Sequence, residues 1–116
     1  MSETSQLSIN YDDISQQLKV RPDILKRLIK SFAMSLSDKM KNLEEALAQN
    51  DALKMRSILH EIKGTAGNLR LDTISTPENI MHEAVKAGED PQKLRGYLTT
   101  LKQKVEELQQ YVSKES

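Results

Sequence analysis

The sequence contains no cysteine and no tryptophan, and only one phenylalanine and three tyrosines among its 116 residues. Without cysteine the chain can form no disulfide bond, thiolate nucleophile or cysteine-ligated zinc site, and it suits a reducing compartment. The scarcity of aromatic rings means that a core must be built mainly from aliphatic side chains, which favours helices over a sheet. We therefore expect an all-α fold.

An excess of charge of either sign is also missing, because seventeen basic residues balance seventeen acidic ones. Such a chain has no long-range attraction to nucleic acid or to an anionic membrane, so we expect neither as a partner and look to proteins instead. No apolar run has the length of a signal peptide or of a membrane span. A cytoplasmic location is the resulting expectation, and the length predicts a single domain.

Apolar periodicity and capping residues predict three helices in the first part of the chain. Asn10 is a suitable N-cap for a short helix, and Pro22 can open a long one that carries the strongest apolar stripe in the sequence. Asn50 is a turn residue and Asp51 a suitable N-cap for the third helix. The three helices are expected over residues 11–20, 22–49 and 52–69. The stripe of the second comprises Leu25, Leu28, Ile29, Phe32, Leu36, Met40, Leu43 and Leu47.

The start of the fourth helix is ambiguous, since Asp72 and Thr76 are both suitable caps. The pair Thr76-Pro77 favours the later start, because proline is well tolerated at the first helical position. Gly88 is well suited to end this helix.

A fifth helix is predicted to open at Asp90-Pro91 and to carry an apolar stripe as far as Val112. Because the connections are short, neighbouring helices should be antiparallel. The expected architecture is an antiparallel up-and-down four-helix bundle with a short additional N-terminal helix. It should span residues 9–112, between a flexible N-terminal tail (1–8) and a frayed C-terminal tail (113–116).

The third helix contains Gly64 and Gly67, and a glycine inside a helix costs roughly 1 kcal/mol relative to alanine. A helical wheel at about 100° per residue places His60 opposite the apolar stripe, with both glycines beside it. The face that His60 shares is polar, small and partly basic. Its other members are Leu53, Arg56, Ser57 and Lys63.

This face has the properties that a phosphoryl-carrying histidine needs. A neutral, accessible ring nitrogen can attack phosphorus. Glycine at the neighbouring positions lets the active site of a second protein approach closely. The positive charge of Lys63 offsets the charge of the transferred group.

The segment resembles the signature of the histidine-containing phosphotransfer (HPt) family of bacterial two-component phosphorelays, in which lysine and glycine follow the histidine at plus three and plus four. The matching residues are His60, Lys63, Gly64, Thr65, Ala66, Gly67, Asn68 and Leu69. The resemblance extends over about three quarters of the chain, from Asp23-Ile24-Leu25 to Ala87-Gly88-Glu89. It departs from the family at Arg70, where many members have glycine, and at Pro77, where the family usually continues its fourth helix.

The resemblance implies that His60 is the phosphoacceptor, through Nε2, with Lys63 stabilising the phosphoryl charge and Gly64 providing clearance. The phosphate would come from, and return to, an aspartate on a response-regulator receiver domain, most simply one of a hybrid sensor histidine kinase. The receiver would supply Mg²⁺, so no cofactor is expected on this chain, nor any kinase or nucleotide-binding activity. The family is usually monomeric.

Five residues of the His60 face are candidate contacts for the receiver, although two of them have structural alternatives. Leu53 could instead pack near the bundle end, and Gly67 could serve close helix packing. The five are Leu53, Arg56, Ser57, Gly67 and Asn68. His82 lacks neighbouring glycines and is interpreted as a surface or half-buried structural histidine.

Three other functions were weighed against phosphotransfer. The phosphoacceptor part of a histidine kinase usually has proline at plus five, where this chain has Thr65, and it needs an ATP-binding domain. A His-Glu-x-x-His metal site fails because Gly64 and Lys86 occupy the places of the second ligand. An interaction module whose histidine is never phosphorylated would share the fold and stays open.

Overall fold

The computed structural model describes residues 7–114, which form five α-helices. They are α1 (Tyr11–Leu18), α2 (Pro22–Ala48), α3 (Ala52–Asn68), α4 (Asp72–Lys86) and α5 (Pro91–Lys114). Helices α2 to α5 each pack against the next, and α5 packs against α2, which closes a four-helix bundle. The predicted up-and-down bundle with a short leading helix is confirmed.

The helices begin where capping chemistry predicts for three of the five. Asn10, Asp51 and Asp90 each accept a hydrogen bond from the backbone amide three residues on, at 3.0, 3.1 and 3.0 Å. Each side chain satisfies one amide that the first turn of a helix leaves without a partner. The position of α3, which begins directly after Asp51, is therefore set by local sequence.

The core is aliphatic, as the shortage of aromatic residues required. The largest fully buried apolar side chains come from α2 to α5: Leu25, Ile29, Leu36, Leu43, Met55, Leu59, Ile62, Ile74, Met81, Leu101 and Leu108.

Across residues 7–114 no helix is long and apolar enough to cross a membrane.

Leu28 was predicted to be part of the α2 stripe, but its side chain is 47% exposed. Leu25 and Ile29, on either side of it in the same stripe, are completely buried. At about 100° per residue Leu28 lies roughly 60° from Leu25, at the edge of the stripe, so the packing of α2 leaves it partly in solvent.

Helix α4 was predicted to begin at Pro77, after a cap at Thr76, but it begins at Asp72 with Leu71 as its N-cap residue, so the later start was wrong. The earlier start buries Leu71 and Ile74, which are 3% and 0% exposed. Pro77 consequently lies inside the helix, where its lack of an amide proton leaves the Thr73 carbonyl without its helical donor. The apolar burial of an added turn outweighs this loss.

Arg70 occupies a left-handed backbone conformation (φ 59°), which glycine adopts without strain and other residues rarely do. Its side chain compensates by making three hydrogen bonds. Nη1 donates to the carbonyls of Gly67 and Asn68 at 3.1 and 3.3 Å, and Nε donates to Oε1 of Gln17 at 3.2 Å. Arginine thus replaces the family's glycine by bracing the end of α3 against α1.

The two ends of the described chain meet at one end of the bundle. Leu7 packs against the core, and the amide of Ile9 donates to the Tyr111 hydroxyl at 3.1 Å. Helix α5 continues through Ser113 and Lys114, which had been assigned to a frayed tail. The rest of the two predicted tails, residues 1–6 and 115–116, lies outside the described residues.

Replacement of Lys19 by glycine should stabilise the fold. Lys19 ends α1 with φ 58°, a conformation that costs a residue with a β-carbon roughly 1–2 kcal/mol. Glycine removes this cost but loses more entropy on folding, so we expect a net gain of about 0.5–1 kcal/mol. Urea denaturation of Lys19→Gly measures it, with Lys19→Ala as the matched control because alanine keeps the strain. Equal stabilities of the two variants would contradict the expectation.

Candidate functional site

His60 lies on the outer face of α3 because the apolar residues of the inner face pack into the core. Met55, Leu59, Ile62 and Ala66 are buried, and their helical spacing turns His60 to the opposite side, where it is exposed. Among residues 7–114 its ring nitrogens have no hydrogen-bond partner. The imidazole is therefore accessible and not held by the protein in one tautomer.

Gly64 and Gly67 lie beside His60 on this face, about 40° and 20° away on the helical wheel. Apart from the adjoining stretch of its own helix, a β-carbon built at either glycine meets no atom of the described residues within 4 Å, and both glycines are exposed. The glycines are thus not needed for packing inside the bundle, which removes the alternative that Gly67 serves close helix packing. What they provide is open space next to the histidine, at a cost in helix stability.

The five candidate contact residues are all exposed. Leu53, for which packing at the bundle end was the alternative, is 76% exposed and so presents an apolar surface to solvent. The five lie with His60 on the outer face of α3: Leu53, Arg56, Ser57, Gly67 and Asn68.

Lys63 is one turn from His60 and exposed, and it forms no ion pair among the described residues. The acidic neighbour of the histidine is held differently. Glu61 points toward α2, where its Oε1 lies 2.8 Å from Nζ of Lys39. This hydrogen bond, with the lysine's charge, lowers the pKa of Glu61. The pair offsets the negative charge next to His60, while the positive charge of Lys63 stays available to a ligand.

A buried acid lies on α4, and sequence reasoning missed it. Glu78 is 0% exposed, and its Oε2 lies 3.1 Å from Nδ1 of His82. Its other oxygen, Oε1, has no hydrogen-bond partner within residues 7–114. Burial raises the pKa of Glu78, against the lowering effects of the His82 hydrogen bond and the charges of His82, Lys63 and His60. Lys63 and His60 are the groups of the outer face of α3 whose charges favour the ionised form of this acid.

The sequence did contain a signal for Glu78. Ile74, Glu78, Met81 and Val85 recur at helical spacing, so an α4 that begins at Asp72 places the acid within an apolar row. The later start, with Thr76 as the cap, left Ile74 outside the predicted helix. The apolar row that contains Glu78 was therefore not recognised. His82 is half-buried and paired, in agreement with its structural interpretation.

Comparison with known protein families gives a match over most of the bundle. The sequence model of the Hpt domain matches residues 27–111, which is more than half of the chain. No curated protein and no solved structure matches the chain significantly. Among residues 7–114, no three histidine, cysteine, aspartate or glutamate side chains are grouped as metal ligands would be.

Replacement of Glu78 by glutamine should change how stability depends on pH. The folded state raises the pKa of Glu78 above its ordinary value of 4.5, so it holds this proton more tightly than the unfolded chain does. Stability from this source is complete below that value and is lost as pH rises through the pKa of the folded state. Glutamine carries no such proton, so the free energy of unfolding of Glu78→Gln relative to wild type should increase with pH.

Urea denaturation at a series of pH values tests this expectation. Glu83→Gln is the matched control, because Glu83 lies on the same helix but is exposed and paired with Lys86. Its stability should stay parallel to wild type. A Glu78→Gln curve that is also parallel to wild type would show that the buried acid has an ordinary pKa.

Proposed function

The chain belongs to the Hpt domain family, and from that premise we propose that it relays a phosphoryl group between aspartates of response-regulator receiver domains through His60. Hpt domains are histidine phosphotransfer modules of phosphorelays and act as phosphocarriers rather than as enzymes. The proposal assigns this role to one residue of this chain and to one class of partner.

The observation that carries the proposal is the open space around an unpartnered imidazole. His60 is exposed, and neither Gly64 nor Gly67 would bring a β-carbon within 4 Å of another residue. Two glycines that weaken a helix and fill no packing role indicate that something from outside must come close. A receiver whose aspartyl phosphate must reach the ring nitrogen is such a partner.

The transfer itself requires little of this chain. The lone pair of His60 Nε2 attacks phosphorus, the bond between phosphorus and the aspartyl oxygen breaks, and the carboxylate leaves with the electron pair. Nδ1 keeps its proton, and the reverse reaction charges the next receiver. The exposed ammonium of Lys63 would stabilise the phosphoryl oxygens, while the Lys39–Glu61 pair limits repulsion by the neighbouring acid.

The remaining parts of the proposal concern the partner and the setting. The receiver, for example that of a hybrid sensor histidine kinase, would contribute Mg²⁺, and this chain would have no kinase or nucleotide-binding activity of its own. Its contacts would be made through Leu53, Arg56, Ser57, Gly67 and Asn68. A monomeric state and a cytoplasmic location stay predictions from the sequence.

Phosphorylation of the chain should depend on His60. We expect acid-labile, alkali-stable phosphate to appear on the wild-type chain after incubation with a receiver domain charged by acetyl phosphate, and on incubation with phosphoramidate. The variant His60→Gln should lose essentially all of it, while His82→Gln should keep it. A wild-type chain that both donors leave unlabelled would favour the alternative of an interaction module that is never phosphorylated.

Filling the space at Gly64 should block transfer without unfolding the bundle. Leucine at this exposed helical position should raise the free energy of unfolding by about 0.5–1 kcal/mol relative to glycine, while its bulk should slow transfer from the receiver at least about tenfold, or about 1.4 kcal/mol of barrier. The measurements are urea denaturation and the rate of phosphohistidine formation.

The chain provides a matched control for this experiment at Gly96. This glycine is also inside a helix, α5, and also has no atom within 4 Å of a built β-carbon. Gly96→Leu should gain similar stability and transfer at the wild-type rate. If Gly64→Leu also transfers at that rate, open space at position 64 is not required by the partner.

A further inference from the structure

The Glu78–His82 pair is a buried titratable group that the transfer chemistry described above does not use. Glu78 is completely buried, His82 has only 13% of its side chain exposed, and their facing atoms are 3.1 Å apart. The second carboxylate oxygen of Glu78 is buried without a hydrogen bond. A buried carboxylate with one unsatisfied oxygen is expensive to keep charged, so Glu78 holds a proton more tightly than an exposed carboxyl group would.

Glu78 lies within electrostatic reach of the residues of α3, because α3 and α4 pack together as antiparallel neighbours. On α3 the groups that act on Glu78 are Lys63 and His60, and both stabilise its charged form. On α4 the acting group is His82. Helix α5 presents Tyr97 and Lys104 along its edge toward α4 by helical spacing, but these lie near other acids, Glu89 and Glu107 respectively.

We propose that the Glu78–His82 pair takes up a proton when His60 is phosphorylated, so that phosphoryl loading and proton binding are linked. This inference rests on the proposed function of His60. Before transfer, the region of His60 is neutral or positive and favours the charged form of Glu78. After transfer the net charge at His60 becomes more negative, because the phosphoryl group brings two negative charges while the ring, which keeps its Nδ1 proton, becomes an imidazolium with a single positive charge.

The direction of the linkage follows from reciprocity. If phosphorylation tightens proton binding at the pair, then a proton at the pair stabilises the phosphorylated state by the same factor. The proton that the pair binds comes from solvent and is not transferred to the phosphoryl group or to the receiver. The chemical step of phosphoryl transfer is therefore unchanged. Acidification therefore shifts the phosphoryl equilibrium from the receiver toward this chain, and alkaline conditions shift it back.

The first test compares equilibrium constants for transfer from one phosphorylated receiver domain to wild type and to Glu78→Gln, from about pH 5.5 to pH 8. The receiver is the same in both reactions, so its own pH dependence cancels when the wild-type constant is divided by the Glu78→Gln constant. The pH dependence of this ratio reports on Glu78 alone. This ratio should fall about threefold to tenfold as pH rises, the size expected for charges on adjacent helices. Glu83→Gln, the exposed acid one residue beyond His82, should give a ratio that does not change with pH. A pH-independent ratio for Glu78→Gln would overturn the proposal.

The second test needs neither a receiver nor a substitution. The imidazole of His82 and the carboxyl carbon of Glu78 are titrated by nuclear magnetic resonance in the wild-type chain, before and after phosphorylation by phosphoramidate. The midpoint of the pair should move to higher pH in the phosphorylated chain, while that of Glu83 should not. A phosphorylated chain with an unmoved midpoint refutes the linkage alone, whereas a chain that never forms phosphohistidine refutes the proposed function.

Discussion

Burial of one face of α3 is the constraint on which the rest of the site depends. Met55, Leu59, Ile62 and Ala66 pack into the aliphatic core, and a helix with 3.6 residues per turn then has only one direction left for His60. Within the described part of the chain, no hydrogen bond to the ring of His60 orients it. The accessibility of the imidazole is thus a property of the core of the bundle, and the lysine and glycines on the same face are positioned by the same packing.

The parts of the structure that depend on local sequence could be predicted. Caps at Asn10, Asp51 and Asp90 and the apolar period of α3 act within a few residues, so they fixed the helix positions and the direction of His60. The start of α4 could not be predicted in this way. Its first turn is stabilised by burial of Ile74 against other helices, and the local proline signal at Pro77 pointed elsewhere.

Errors that involve neighbouring helices have the same origin. Leu28 lies at the edge of the α2 stripe, and how far the neighbouring helices cover that edge cannot be read from α2 alone. The apolar row that contains Glu78 is visible in its own helix, but only once α4 is taken to begin at Asp72. The candidate site was predicted on α3, where periodicity suffices, and was incomplete on α4, where it does not.

The negative charges of two acids near the outer face of α3 are handled in two different ways by the structure. Glu61 stays in solvent and is compensated by Lys39 from the neighbouring helix, which makes its charge nearly permanent. Glu78 is buried and pairs with His82, and burial raises its pKa, so its carboxyl group is harder to ionise than an exposed one. The proposed link between phosphorylation of His60 and proton uptake uses the second arrangement, in which the acid is buried beside a histidine.

The contact between Ile9 and Tyr111 brings the entry and the exit of the bundle to the same end. A longer polypeptide could therefore lead into this bundle and out again without crossing the outer face of α3. Such an architecture can be inserted between other domains, or stand by itself, with equal access to its histidine. The two ends of the bundle's chain therefore lie apart from the outer face of α3, which carries His60.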